Sequence, residues 1–159
     1  MNREFLINYL KNNSLINDRF RVIDCVNCKA GETKRGFFSL VFQATDELKN
    51  KTVALKFYDP EGPKDPYRLE AFRREPELIK QLDGIKRCIQ SPLYGLQTLS
   101  FDIEVPHTGS FTCSFEFFVL EWVEYDIDIF FETQESIESL AKILIFRQIV
   151  ASVAALHNR

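Results

Sequence analysis

The 159-residue chain has few of the residues that most directly announce chemistry: two histidines, one methionine and one tryptophan. It also lacks a long uninterrupted apolar run. The longest candidate, Ile143 to Leu156, is broken by Arg147 and Gln148, so no segment reads as membrane-spanning. The start, Met1-Asn2-Arg3-Glu4-Phe5-Leu6, carries charge where the apolar region of a signal peptide would build. Excess charge of one sign is missing as well. Twenty Lys and Arg stand against 23 Asp and Glu, a net charge of −3, which gives no reason to expect nucleic acid or a membrane surface as partner. Together these absences predict a cytoplasmic protein, in which Cys25, Cys28, Cys88 and Cys113 are reduced thiols. Cys25-x-x-Cys28 has half the spacing of a zinc site, but no second close pair completes it. It reads as two residues on a strand and its exit, and no metal site is expected. His107, in a turn, and His157, at a helix end, read as structural or solvated. No internal repeat and no low-complexity tract is present.

What is there is an ordinary globular composition, 45% hydrophobic and 27% charged, with enough apolar material for one domain and a substantial core. Phe5, Leu6, Tyr9 and Leu10 fall at helical spacing and predict a short helix over residues 3 to 12. Strand-like stretches follow at Arg19 to Asn27, Phe37 to Ala44 and Thr52 to Phe57, with a hairpin turn from Asp46 to Lys51. Asp59-Pro60-Glu61-Gly62-Pro63 ends the third strand. A helix is expected from Tyr67 to Leu82, with apolar positions Leu69, Phe72, Ile79 and Leu82 and with Gly84 as its C-cap. Leu93 to Val105 and Phe111 to Val123 read as two long strands joined through Pro106 to Ser110. Ile137 to His157 reads as a final helix, N-capped by Thr133 or Ser136 and apolar on nearly every face.

Lys56 closes the run Val53-Ala54-Leu55-Lys56 and shares a strand face with Ala54. A lysine on a covered sheet face is costly unless an anion meets it. Glu75 can meet it. It lies three positions after Phe72 and four before Ile79, which puts it on the sheet-facing stripe of its helix; the alternative is a solvated carboxylate beside Arg73 and Arg74. Residues 34 to 44, Lys-Arg-Gly-Phe-Phe-Ser-Leu-Val-Phe-Gln-Ala, set a glycine-containing turn before a strand. Such a turn can present backbone N–H groups to phosphates, or can simply be a hairpin.

In order and spacing these pieces resemble the small lobe of a eukaryotic-type protein kinase. Val53-Ala54-Leu55-Lys56 is similar to the family's Val-Ala-Ile-Lys strand, and Phe72-Arg73-Arg74-Glu75 looks like the segment carrying the paired helix-C glutamate, nineteen residues on. Residues 34 to 44 look like the glycine-rich loop. The resemblance implies an α+β fold: a five-stranded antiparallel sheet with helix C, followed by the first helices of the large lobe. Residues 1–18 would be an extension, 19–123 the lobe with a hinge at 121–125, and 126–159 the start of the helical lobe, helices D and E. It further implies that Lys56 contacts ATP phosphates and that Glu75 orients it. Val41, Ala54 and Leu120 would hold adenine, with backbone groups of Glu121 and Val123 bonding its edge; Lys34, Gly36 and Ser39 would lie over the phosphates.

The chain departs from that pattern in four ways. Only Gly36 of three loop glycines is kept, with Lys34 and Ser39 at the other places. The stretch before the loop is long, so Lys29 to Arg35 would enlarge its tip. Pro76 follows Glu75, so the helix should kink there or begin near Glu75. Finally, no His-Arg-Asp, Asp-Phe-Gly or Ala-Pro-Glu segment occurs, and the family's catalytic aspartate and magnesium ligands lie there. The expectation is therefore the ATP-binding lobe of a Ser/Thr-like kinase, truncated before the catalytic loop and inactive alone, with magnesium bound only in the presence of the rest of the kinase. The protein substrate would be met by the parent. The alternative is a non-catalytic, pseudokinase-like module acting through protein contacts. Self-association through the last helix is expected in either case.

Overall fold

The computed structural model describes residues 2–12, 15–28, 36, 38–62, 65–85, 88–105, 109–124 and 139–157. Helix α1 (Arg3–Asn12) opens the chain. Asn2 caps it, its side-chain oxygen accepting the Phe5 N–H at 2.9 Å. Leu6 and Leu10, one turn apart, are fully buried. Strands β1 (Phe20–Cys25), β2 (Ser39–Asp46) and β3 (Lys51–Tyr58) follow, then helix α2 (Pro66–Gln81), strands β4 (Gln97–Val105) and β5 (Gly109–Glu121), and helix α3 (Ser139–His157). The result is a mixed α+β fold. The five strands form one antiparallel sheet in the order β1-β2-β3-β5-β4, and three helices accompany it among the described residues.

Strand alternation divides the core into two layers. Leu40, Phe42 and Ala44 of β2, Val53, Leu55 and Phe57 of β3, and Phe117 and Val119 of β5 face one way, together with Leu6 and Leu10 of α1. The intervening residues Ala54, Phe118 and Leu120 face the other way and meet Phe72 and Ile79 of α2. Lys56 belongs by register to this second face.

Helix α2 starts as local chemistry dictates. Asp65 is the N-cap, accepting the Tyr67 N–H at 3.0 Å, and Pro66 takes the first helical position, where its missing N–H costs nothing. The helix therefore begins far upstream of Glu75 and carries Pro76 inside it, so the expectation of a start near Glu75 does not hold. Its last turn ends at Leu82, and Gly84 then takes a left-handed φ of 72°.

Strand bounds differ from expectation for identifiable reasons. β4 begins at Gln97 and not at Leu93, because Gly95 turns the chain with φ 85°. The Ser91 hydroxyl instead engages the carbonyls of Leu93 and Val119 at 2.8 and 2.6 Å. β5 already includes Gly109 and Ser110, paired with Val105 and Glu104, and it stops at Glu121, leaving Val123 beyond the ladder. The expected N-caps Thr133 and Ser136, and the stretch assigned to helix D, lie outside the described residues. Among those residues, no helix is long and apolar enough to cross a membrane.

Candidate functional site

Register assembles the site. Antiparallel pairing sets Lys56 opposite Val41 on β2 and opposite Phe118 on β5, and sets Ala54 opposite Leu120. Lys56, Val41, Ala54 and Leu120 thus meet on the α2 side of the sheet. Helix α2 is seated there by Phe72, fully buried and packed on Phe118 and Tyr58 at ring-centroid separations of 5.1 and 5.4 Å. One turn on, Glu75 faces the lysine. Lys56 Nζ donates to Glu75 Oε1 at 2.6 Å and to Oε2 at 2.8 Å. The ammonium also stands 5.4 Å from the centroid of the Phe118 ring, within cation–π range. The outer flank of α2 is tied down by a fork: Arg73 Nε and Nη2 each donate to Glu116 at 2.8 Å, and that hydrogen bonding raises the guanidinium pKa further.

The remaining expected site residues fall in three groups. Ala54 and Leu120 are buried, and Val41 packs against them. Gly36 adopts φ 82°, a left-handed conformation suited to glycine. Ser39 opens β2 opposite Tyr58, and Lys34 lies outside the described residues. Glu121 ends β5, and Val123 lies just beyond it. The Glu121 N–H donates to the Gln90 carbonyl at 2.8 Å, and its carboxylate accepts the Gln90 N–H at 2.7 Å. With Val123, Gly84, Ile85, Cys88, Ile89 and Gln90, it lines an open recess of about 580 Å³ to which Lys56 and Glu75 do not contribute. The Glu121 side chain is thus a structural tie to the connection before β4.

Asn27 escaped sequence reasoning. Its side-chain amide donates to the Ser39 carbonyl at 3.0 Å, and its oxygen accepts the Val41 N–H at 2.8 Å. One side chain at the exit of β1 thereby stitches the start of β2, next to Gly36. An Asn just past a strand is a common turn residue, so nothing in its position signalled this. Cys25 and Cys28 are free thiols, and among the described residues no group of three His, Cys, Asp or Glu side chains could hold a metal ion.

The arrangement is a fixed ammonium, held by one carboxylate and flanked by an apolar surface. An ammonium has three N–H donors, so the pair with Glu75 orients it without exhausting its capacity for an anion. No family model, curated protein or solved structure matches this chain.

Proposed function

We propose that this chain is the nucleotide-binding lobe of a protein-kinase-like phosphotransferase, whose parent moves the γ-phosphoryl group of ATP to a serine or threonine hydroxyl. The observation that carries the reading is the Lys56–Glu75 pair, at 2.6 and 2.8 Å, on the sheet face that also presents Val41, Ala54 and Leu120. ATP, when bound, supplies the phosphoryl group. Lys56 would hold its α- and β-phosphates as a compact point charge. Glu75 would keep the ammonium aimed at them rather than collapsed onto the sheet. Val41, Ala54 and Leu120 would present an apolar surface to the base. No metal ligand is assigned.

One observation favours a second reading, a non-catalytic module of the same fold. Residues 34 to 39 hold a single glycine, Gly36, and Asn27 pins Ser39 and Val41 at the start of β2, which would limit how a turn there closes over phosphates.

Titration with a non-hydrolysable ATP analogue, followed by backbone amide shifts, tests both readings. Shifts centred on Val41, Ala54 and Lys56 that vanish in Lys56→Ala support a nucleotide site. Shifts that persist unchanged in Lys56→Ala and in Glu75→Gln overturn it. Binding without phosphotransfer by the parent would select the second reading.

A further inference from the structure

Asp59 is fully buried, yet it takes no part in the Lys56–Glu75 pair. It follows β3 directly, at the head of the connection to α2. Its partner comes from the other end of the chain. Arg3 Nε donates to both carboxylate oxygens, at 3.2 and 3.1 Å, and Nη2 donates to Oδ2 at 2.9 Å. Two residues later Glu61 accepts the Arg3 backbone N–H at 2.9 Å, placing a negative charge at the start of α1, where the helix dipole favours it. The same turn is tied to Phe38, the residue before β2. The Asp59 N–H donates to the Phe38 carbonyl at 2.9 Å, and a Cβ on Gly62 would come within 2.9 Å of the Asp59 carbonyl. Beside this node, Tyr58 packs on Phe72, Phe72 on Phe118, and the Lys56 ammonium stands over Phe118. A contiguous set of contacts thus joins the N-terminus of α1 to both halves of the lysine–glutamate pair and to the strand that follows Gly36.

We infer that α1 is a built-in positioning element: Arg3, clamped on Asp59 and Glu61, holds the connection between the strand that carries Lys56 and the helix that carries Glu75. Docking of α1 then sets how firmly Glu75 meets Lys56 and, on the nucleotide reading above, how tightly the site binds. Arg3 is a positioning residue and touches no ligand. The reason it can act at a distance is economy of alternatives. A buried carboxylate that loses its guanidinium keeps the Glu61 N–H but not the opposite charge, and hydration, which would offset that loss, favours an opened turn at 59–62.

The test compares wild type with Arg3→Ala, with the charge swap Arg3→Asp/Asp59→Arg, and with Asp46→Asn as a control. Asp46 is also fully buried and forked to an arginine, Arg19, at 2.9 and 2.7 Å, but it ends β2, away from the connection to α2. Two quantities are read on the full chain: amide hydrogen exchange, and affinity for the ATP analogue. In Arg3→Ala, exchange at residues 65–75 should accelerate on the order of tenfold or more, the loss expected for a charged hydrogen-bonded pair, while β4 and β5 stay protected. Analogue affinity should fall by a similar factor. The control should destabilise the fold without either local change, and the charge swap should recover part of the protection. Unchanged exchange at 65–75, or acceleration spread evenly over the sheet in both Arg3→Ala and the control, overturns the inference. If Arg3→Ala does not fold, Arg3→Lys, which keeps the charge and loses the fork, replaces it under the same criteria. If wild type does not bind the analogue, the nucleotide reading fails, and the exchange arm still decides the role of α1.

Discussion

Both carboxylate oxygens of Glu75 lie within hydrogen-bond reach of the Lys56 ammonium, although the two residues belong to different elements and are nineteen positions apart. The pair is not sealed from water: the lysine side chain is 18% exposed and the glutamate 32%. Ion pairs of this kind contribute little to folding, because partial hydration remains open to either partner. On the proposed nucleotide reading, the pair serves binding more than folding.

Stability and binding should therefore separate at this pair. Lys56→Met removes the charge and places an apolar side chain against Phe118. Unfolding by urea should show a stability within about 1 kcal/mol of wild type, since the Glu75 carboxylate left behind is partly hydrated and such pairs contribute about that much or less. The ATP analogue should cease to bind. A loss of more than about 3 kcal/mol would mean that the pair is structural.

The elements that could be read in advance are those whose signal is local. Alternation marked β1, β2 and β3, and helical spacing marked α1 and α2. The phase of Phe72 and Ile79 put Glu75 on the inner stripe, where the structure has it. The elements that could not be read depend on partners remote in sequence. Arg3 and Asp59 are joined across 56 positions, and Arg73 and Glu116 across 43. A run of charged and apolar residues carries no record of which distant carboxylate an arginine will find. The tie from the Glu121 side chain to Gln90, 31 positions earlier, was hidden for the same reason.

Asn27 gives a prediction about the loop. Asn27→Ala removes two hydrogen bonds that join β1 to β2 and leaves the Val41 N–H without its acceptor. The cost should be about 1–3 kcal/mol in urea unfolding. Exchange of the Val41 amide should accelerate, while the Phe117 and Val119 amides stay protected. A variant indistinguishable from wild type by both measures would show that the stitch is dispensable.

The acid limb of stability should depend on Asp46. Hydrogen bonding from the Arg19 guanidinium, ahead of its opposing burial, holds this carboxyl below the ordinary carboxylate range. A pKa depressed in the folded state contributes stability that is complete above the unfolded value of about 4 and is lost as pH falls through the folded value. Asp46→Asn should lower stability at neutral pH and flatten the decline below pH about 4, measured as melting temperature against pH. Parallel acid limbs for variant and wild type would assign acid unfolding to other groups.

Cys25 sets an expectation at the opposite end of the scale. Burial is the largest cause of its shift and pushes the thiol up to about 11. The thiolate is the nucleophile, so at pH 8 Cys25 should be alkylated more slowly than the half-buried Cys28, Cys88 and Cys113. Because the raised value belongs to the folded state, the stability it contributes is intact at pH 8 and is lost as pH rises toward 11. Mass-spectrometric mapping of iodoacetamide adducts reads the order directly. Early modification of Cys25 would show that β1 opens readily at its end.

Helix α3 predicts association. Leu140, Ile143 and Phe146 are 64%, 62% and 67% exposed, and Leu144, Ile149, Val150 and Val153 are exposed as well. These positions do not share one stripe, so no single rotation of the helix would bury them against the sheet. Exposed apolar surface of this kind favours contact with more of itself as concentration rises. Sedimentation velocity should show mass increasing with concentration for wild type, and a single species for Leu140→Lys/Ile143→Lys/Phe146→Lys. The far-ultraviolet signal of the sheet should be preserved in the variant, because none of the three side chains belongs to either core layer. A wild type that stays monomeric at high concentration would mean that α3 shields its apolar surface in solution.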